Sequence, residues 1–196
     1  LWRSLACVPG RASMLSKASS KCRPSVFVAD LEDSVPPRGK LEARHDVAAF
    51  VRSLPLPSSQ TMPWIVRVNS LNSGLFEADL DAVLCDRIVG ISVGKVADAR
   101  EMQEIERIIV AKEEKHRLAP GFIRVLPWLE TARGVINAKE ICAAANRLAG
   151  VAFGTDDYLC DVGLSLDDAQ ERDFATLHAR HTVALAAAAF ETAAFE

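Results

Sequence analysis

The sequence predicts an α/β fold of the TIM-type (β/α)8 barrel class. Short β-branched runs alternate with segments of helical periodicity, which is typical of βαβ units and a parallel sheet. Polar residues directly follow most of these runs, as expected where parallel strands open into a ligand site. With 196 residues, the chain is short for eight strand–helix units. We therefore predict a single incomplete barrel domain over residues 1–196, truncated after the sixth strand and its helix.

Six strands are predicted from apolar runs that end in glycine, proline or polar residues. They span residues 4–8, 25–29, 64–68, 88–93, 122–129 and 148–153. Helices are predicted after residue 10, from about residue 40, over 76–84, after residue 95, and over 134–146 and 173–190. The helix after residue 95 has the clearest apolar stripe, with Met102, Ile105 and Ile109 at helical spacing. These helices can cover the two edges and the outer face of the sheet.

Composition excludes several classes of function. The formal net charge is −3, with 25% charged and 49% hydrophobic residues, so nothing draws the chain to nucleic acid or to anionic membranes. No uninterrupted apolar run approaches the roughly 20 residues of a membrane span. The five cysteines form no CxxC pair, and we expect mostly buried, reduced thiols in the cytoplasm or an organelle matrix. A small molecule is the partner that remains.

Charged and amide side chains stand directly after several predicted strands. In chain order they are Asp30, Glu32, Asp33, Arg67, Asn69, Lys95, Glu130, Asp156 and Asp157. Because the carboxyl ends of parallel strands meet at one edge of a sheet, we expect these side chains to converge on one site.

Two of these residues form a candidate metal site. Glu130 and Asp157 are 27 residues apart, the length of one strand–helix–strand unit, and neighbouring strands lie ~5 Å apart. Hard carboxylate oxygens without a His/Cys set favour Mg²⁺ or Mn²⁺ over zinc. The alternative from spacing alone is equally good: either residue could simply cap the helix that follows it.

Five motifs occur in order at the spacing of strand–helix units. They are Val-Pro-Gly at 8–10, Asp-Leu-Glu-Asp-Ser-Val-Pro-Pro at 30–37, Arg-Val-Asn at 67–69, Leu-Glu-Thr-Ala-Arg-Gly at 129–134 and Phe-Gly-Thr-Asp-Asp at 153–157. From residue 3 to about residue 190, the chain resembles the citrate lyase beta subunit-like proteins of the HpcH/HpaI aldolase family, in the phosphoenolpyruvate/pyruvate-binding barrel superfamily. The resemblance implies that Glu130 and Asp157 bind Mg²⁺. It also implies a homo-oligomer, either a trimer or a hexamer.

The resemblance assigns roles to further residues. Arg67 would hold the substrate carboxylate, for which a guanidinium offers a bidentate fork. Glu32 and Asp33 would orient Arg67 or a metal-bound water, and we predict that Asn69 and Lys95 contact the substrate. The alternatives are a scaffold role for Arg67 with an acidic partner such as Glu32 or Asp33, and an Asx turn at the acidic cluster.

The resemblance implies a Mg²⁺-dependent carbon–carbon lyase. Its substrate would be a β-hydroxyacyl-CoA of the malyl, citramalyl or citryl type, cleaved or formed in the reverse condensation. One alternative is a free 2-oxo-acid aldolase of the same superfamily, and another is a non-catalytic subunit that binds metal and acyl thioester. The chain departs from the family pattern at Gly94, where proline is usual before Lys95, and at Trp128, beside the predicted metal ligand Glu130. We also expect the C-terminal lid of the family to be absent, which places activity in question.

Overall fold

Seven parallel strands form one sheet, in chain order, among the residues described by the computed structural model of the protein. The structure describes residues 2–165 and 167–196, without the side chain of Ser19. The strands are β1 (Leu5–Pro9), β2 (Val26–Asp30), β3 (Trp64–Val68), β4 (Gly90–Val93), β5 (Arg124–Leu129), β6 (Val151–Phe153) and β7 (Ala194–Phe195). The predicted α/β class with a parallel sheet is confirmed. The predicted truncation after six strands is not confirmed, and a seventh strand, β7, pairs with β6 through Val151–Ala194 and Ala152–Phe195.

Nine α-helices are found in the described part of the chain. They are α1 (Ala12–Leu15), α2 (Ala18–Lys21), α3 (Lys40–Ser53), α4 (Phe76–Val83), α5 (Ala99–Lys115), α6 (Ala132–Ile136), α7 (Ala138–Ala144), α8 (Thr155–Asp161) and α9 (Ala169–Ala189). The helix predicted over 134–146 is two short helices that meet at Asn137, whose side chain donates to the Ala97 carbonyl oxygen at 3.0 Å. Helix α8 was not predicted.

Apolar side chains fill both faces of the sheet. Successive residues of a strand point to opposite faces, and all five residues of β2 are buried. On one face, Phe27 and Ala29 join the main core between the strands and the helices. On the other face, Val26 and Val28 pack in a smaller cluster with Leu126. Burial of each large apolar side chain contributes about 1.5–3 kcal/mol to folding, so the sheet is a rigid base for the residues at its ends.

The strand register brings the strand-end side chains together. Asp30 of β2 is the direct partner of Arg67 in β3, and Arg67 is the direct partner of Ser92 in β4. Partners in register point to the same face of the sheet. Asp30, Arg67 and Ser92 therefore form one polar row at the carboxyl edge. The sequence predicts that Asp30 and Arg67 converge there, and Ser92 is an addition.

All five cysteines are free, but the expectation that most of them are buried is wrong. Cys142 is buried and Cys85 is half-buried, whereas Cys7, Cys22 and Cys160 are exposed. The exposed thiols lie on the outermost strand β1 and at two short helices, where little structure covers them. In residues 2–165 and 167–196, no helix combines the length and the apolar character needed to cross a membrane.

Candidate functional site

A cavity of about 450 Å³ opens at the carboxyl edge of the sheet. Five of the strand-end residues predicted from the sequence line it: Asp33, Arg67, Glu130, Asp156 and Asp157. Lys95 lies beside them, since its ammonium nitrogen is 3.1 Å from the Asp157 Oδ2 oxygen. The residues chosen from the sequence therefore converge on one place, although they come from five different strand ends.

Arg67 is held by a carboxylate that lies directly across the strand pair. Its Nε and Nη2 donate to the two oxygens of Asp30 at 2.8 and 2.6 Å, which is a bidentate ion pair. Its Nη1 donates to the Asp33 Oδ2 oxygen at 3.0 Å and lies 3.5 Å from the Glu32 Oε2 oxygen. Burial lowers the pKa of Arg67, but the hydrogen bonds and the charge of Asp30 outweigh burial and raise that pKa. The guanidinium is therefore a fixed positive charge.

Asp30 fixes the acidic turn after β2 as well as Arg67. Its carboxylate accepts the backbone N–H groups of Glu32 at 2.8 Å and Ser34 at 3.1 Å. Burial raises the pKa of Asp30, but the hydrogen bonds and the charge of Arg67 more than reverse this effect and lower that pKa. The turn-forming aspartate is thus Asp30, which leaves the carboxylates of Glu32 and Asp33 directed at the cations.

Glu32 and Lys95 form a second ion pair at the same edge. The Lys95 ammonium nitrogen lies 3.1 Å from the Glu32 Oε1 oxygen. Burial raises the pKa of Glu32, the neighbouring Asp33 carboxylate adds to this rise, and the charges of Arg67 and Lys95 oppose it. Burial also lowers the pKa of Lys95, yet the hydrogen bond and charge of Glu32 outweigh it, so the ammonium stays charged.

Glu130 is the most enclosed of the carboxylates that line the cavity, with 3% of its surface exposed. Its Oε1 oxygen accepts the backbone N–H of Lys95 at 2.9 Å. A Cβ atom at Gly94 would lie 2.7 Å from that oxygen, and a Cβ at Gly154 would collide with the other oxygen. Two glycines therefore make the space for this carboxylate. Burial raises the pKa of Glu130 to about 7, and the negative charge of Asp157 contributes to the rise.

Neither predicted metal ligand caps the helix that follows it. The side chain that caps α6 is Thr131, whose Oγ1 oxygen accepts the Gly134 N–H at 3.0 Å, and the Ala132 N–H donates to the Asp161 Oδ2 oxygen at 2.7 Å. Asp157 lies in the first turn of α8, whose N-cap is Gly154, and that helix has no side-chain cap. Its neighbour Asp156 also lines the cavity and pairs with Arg172 of α9. The carboxylates of Glu130 and Asp157 are thus not used in helix capping, and both line the cavity, where they can contact a ligand.

Asn69 is tied to the scaffold behind the site. Its side-chain nitrogen donates to the Asp79 Oδ2 oxygen at 2.6 Å and to the Leu31 carbonyl oxygen at 3.2 Å. Arg44 of α3 pairs with the other oxygen of Asp79 at 2.7 Å. This buried network connects the turns after β2 and β3 to α3 and α4, and the predicted contact of Asn69 with substrate stays a prediction.

Trp128 lines the cavity and contacts two residues of the polar row, Ser92 and Arg67. Its indole N–H donates to the Ser92 Oγ oxygen at 2.6 Å, and the Arg67 guanidinium carbon lies 5.8 Å from its ring centroid. A guanidinium at that distance over an indole is a cation–π contact. Trp128 therefore adds a contact to Arg67 beyond those of the acidic turn.

Comparison with known proteins assigns this arrangement to a family. The family model described as HpcH/HpaI aldolase/citrate lyase matches residues 3–196. The chain belongs to the HpcH/HpaI aldolase/citrate lyase family. This confirms the family that the five sequence motifs predict.

Relatives in this family include lyases of two kinds. The citrate lyase subunit beta of Leuconostoc mesenteroides subsp. cremoris is 31% identical over 197 residues, which cover 100% of this chain and 63% of that protein. The mitochondrial citramalyl-CoA lyase of Rattus norvegicus is 27% identical over 199 residues, which cover 96% of this chain and 56% of that protein. The chain thus spans less than two thirds of the length of these relatives.

Two solved structures of the family share the fold. The citrate lyase beta subunit of M. tuberculosis, complexed with oxaloacetate and magnesium, is 27% identical with a TM-score of 0.74, over 97% of this chain and 75% of that chain. The protein CitE of Mycobacterium tuberculosis, in complex with magnesium, acetoacetate and coenzyme A, is 28% identical with a TM-score of 0.75. The match covers 97% of this chain and 63% of that one. Both support the parallel α/β architecture described above.

Two residues of the site in this HpcH/HpaI family member have contacts that the sequence does not predict. Asp30 is among the strand-end residues expected to converge but has no role of its own there, and Trp128 is identified only as a departure from the family pattern. The strand alternation could have found Asp30, because it is in register with Arg67. No sequence signal distinguishes a Trp that lines a cavity from a Trp in the core.

The raised pKa of Glu130 predicts a pH effect on stability. That carboxyl titrates at about 7 in the folded protein, against 4.5 as the ordinary value. Since the folded state binds the proton more tightly, this contribution to stability is complete below pH 4.5 and is lost as the pH rises through 7. In a chelator-containing buffer, the melting temperature should fall by several degrees more between pH 5 and 8 in the natural protein than in Glu130→Gln. Equal pH dependence in the two proteins would contradict this.

Proposed function

We propose that this chain carries the catalytic site of a Mg²⁺-dependent carbon–carbon lyase acting on a β-hydroxyacyl-CoA thioester. The observation that carries the proposal is one cavity lined by Glu130, Asp157 and Arg67. It offers two hard carboxylates and a fixed guanidinium side by side. This combination suits a ligand that presents a carboxylate next to an oxygen that a metal can bind.

The donor set fits Mg²⁺ or Mn²⁺. In residues 2–165 and 167–196, no group of three or more His, Cys, Asp and Glu side chains is arranged to hold a metal ion. Two carboxylates are sufficient for Mg²⁺, which usually keeps several waters and leaves positions for substrate oxygens. We assign the ligand role to Glu130 and Asp157. A divalent ion bound there would polarise a carbonyl oxygen and stabilise negative charge that develops on it.

The protein's own residues position the substrate. In cleavage, the bond between the thioester α-carbon and the hydroxyl-bearing carbon breaks, the hydroxyl proton leaves to a base, and the α-carbon takes up a proton. The substrate carboxylate would bind Arg67, whose orientation Asp30 and Trp128 fix. Glu32 and Asp33 would act by holding Arg67 and Lys95 in place. A substrate held this rigidly gains rate from orientation alone.

The substrate class rests on the relatives. One relative is a citramalyl-CoA lyase, and one solved relative contains acetoacetate together with coenzyme A. These names support a thioester of the malyl, citramalyl or citryl type. We further propose that the seven parallel strands in chain order belong to an eight-stranded barrel, and that the protein acts as a homo-oligomer in the cytoplasm.

The test is turnover of purified thioesters. The chain, with Mg²⁺, would be incubated with malyl-CoA, citramalyl-CoA and citryl-CoA, and the 2-oxo acid product would be measured. We expect cleavage of at least one thioester, which stops when a chelator is added. Cleavage of free hydroxy-oxo acids alone would favour the 2-oxo-acid aldolase alternative. Metal-dependent binding of thioesters without turnover would favour a non-catalytic subunit.

A further inference from the structure

The ammonium group of Lys95 lies between two carboxylates on different sides of the site. Its nitrogen is 3.1 Å from the Glu32 Oε1 oxygen and 3.1 Å from the Asp157 Oδ2 oxygen. These residues belong to the turn after β2 and to α8, which are far apart in sequence. A single cation therefore joins the two edges of the acidic cluster, and one of its partners is a residue to which we assign metal binding.

The backbone of Lys95 holds its ammonium group in that position. The residue has a φ of 60°, a left-handed conformation that side-chain-bearing residues rarely adopt without a structural reason. In this conformation its N–H donates to the Glu130 Oε1 oxygen at 2.9 Å. One residue thus contacts both proposed metal ligands, Glu130 through its backbone and Asp157 through its side chain.

The charges at this edge are unbalanced without a further cation. Seven carboxylates contact or line the site, and four cations pair with members of this set. The carboxylates are those of Asp30, Glu32, Asp33, Glu130, Asp156, Asp157 and Glu196, and the cations are Arg67, Lys95, Arg172 and Arg180. Arg67 is occupied by the turn after β2, so Lys95 is the cation that neutralises Asp157 among the described residues. Opposite charges at ~3 Å attract strongly in a partly buried site. A divalent ion that binds Asp157 must therefore displace or repel this ammonium group.

We propose that Lys95 is an internal counter-cation that competes with the divalent ion for Asp157 and thereby limits the metal affinity of the site. The inference rests on the proposed function, since it requires Glu130 and Asp157 to be the metal ligands. It gives Lys95 a role in the metal-free protein that differs from the substrate contact predicted from the sequence. In the metal-free protein the ammonium offsets part of the negative charge of the acidic cluster.

The direct test is the metal affinity of Lys95→Met. Free Mn²⁺ would be counted by electron paramagnetic resonance during titration of the full chain, and Mg²⁺ would be measured by competition. Removing one positive charge at this distance should lower the dissociation constant of Mn²⁺ by about tenfold. Lys95→Arg keeps the charge, so its dissociation constant should stay close to that of the natural protein.

Two further variants separate competition from general effects. Lys112→Met is the matched control, because the Lys112 ammonium also joins two carboxylates, Glu77 and Asp81, each at 3.0 Å, on α4. It should leave the dissociation constant of Mn²⁺ unchanged. Lys95→Gly removes the ammonium and accepts a φ of 60° without strain, so it reports on the same question even if Lys95→Met does not fold. It should bind Mn²⁺ more tightly as well.

The outcomes distinguish this inference from the proposed function. If the natural protein binds Mn²⁺ and the Met and Gly variants at Lys95 bind it equally or more weakly, Lys95 does not compete and the inference is wrong, while the metal site stands. If neither the natural protein nor these variants bind Mn²⁺, the proposed metal site itself is wrong. Tighter binding in Lys112→Met as well would assign the effect to overall charge and would overturn the inference.

Discussion

Glu130→Gln should weaken the binding of Mg²⁺ and Mn²⁺ by about a hundredfold or more, since it removes one of only two charged ligands. The fold should survive the change. The Glu130 Oε1 oxygen accepts the Lys95 N–H, and the amide oxygen of glutamine can accept the same hydrogen bond. Calorimetric titration of the two proteins measures the difference directly.

A second buried glutamate gives the matched control for this experiment. Glu106 of α5 accepts the backbone N–H groups of Asn146 and Arg147 at 2.7 and 3.2 Å, and it lies outside the cavity lining. Glu106→Gln should leave the metal affinity unchanged. If Glu130→Gln binds Mg²⁺ as tightly as the natural protein does, Glu130 is not a metal ligand.

Arg67→Lys should weaken the binding of oxaloacetate- or glyoxylate-like ligands by ~1–3 kcal/mol, the scale of charge-assisted hydrogen bonds. Lysine keeps the positive charge but has no bidentate fork. It also loses the paired hydrogen bonds to Asp30, so the melting temperature should fall too. Metal affinity should be retained. Ligand affinity, metal affinity and melting temperature would be measured on the same variant.

Arg44→Lys separates the substrate role of Arg67 from its structural role. Arg44 also pairs with a buried aspartate, Asp79, at 2.7 Å, and its side chain is 13% exposed, against 11% for Arg67. It does not line the cavity. Its replacement should lower the melting temperature without changing ligand affinity. If Arg67→Lys behaves in the same way, Arg67 belongs to the scaffold and the carboxylate assignment is wrong.

Most of the sheet could be predicted from the sequence because each strand is an apolar run with a distinct end. The strands β1 to β6 lie within about three residues of their predicted bounds. Strand β7 has two residues, Ala194 and Phe195, which is too short for any alternation to appear. The division of the predicted helix at Asn137 could not be predicted either, because the apolar spacing continues from Val135 to Cys142 across that residue. Tertiary hydrogen bonding, rather than local propensity, divides that helix.

The site was predictable as a set of strand ends but not as a set of contacts. Parallel topology alone brings Arg67, Glu130 and Asp157 to one edge. The pairing of Lys95 with Asp157 depends on the left-handed backbone at Lys95 and on the position of α8, and no periodic pattern encodes either feature. The space around Glu130 likewise depends on the absence of a side chain at Gly94 and Gly154. Such close approaches become visible only when the chain is folded.

Because β2 is completely buried, the side of the site that Asp30 anchors should open less readily than the side that carries Asp157. Local fluctuations occur where few apolar groups are buried, and amides in fully buried strands exchange with solvent only through large-scale unfolding. Asp30 ends a strand with all five residues buried, whereas Asp157 lies on a seven-residue helix in which Leu159 is the buried residue. The part of the site to which we assign carboxylate binding is therefore attached to a strand whose amides should exchange slowly. The helix that carries Asp157 can open without disturbing that strand, so the two sides of the cavity should differ in their rates of amide exchange.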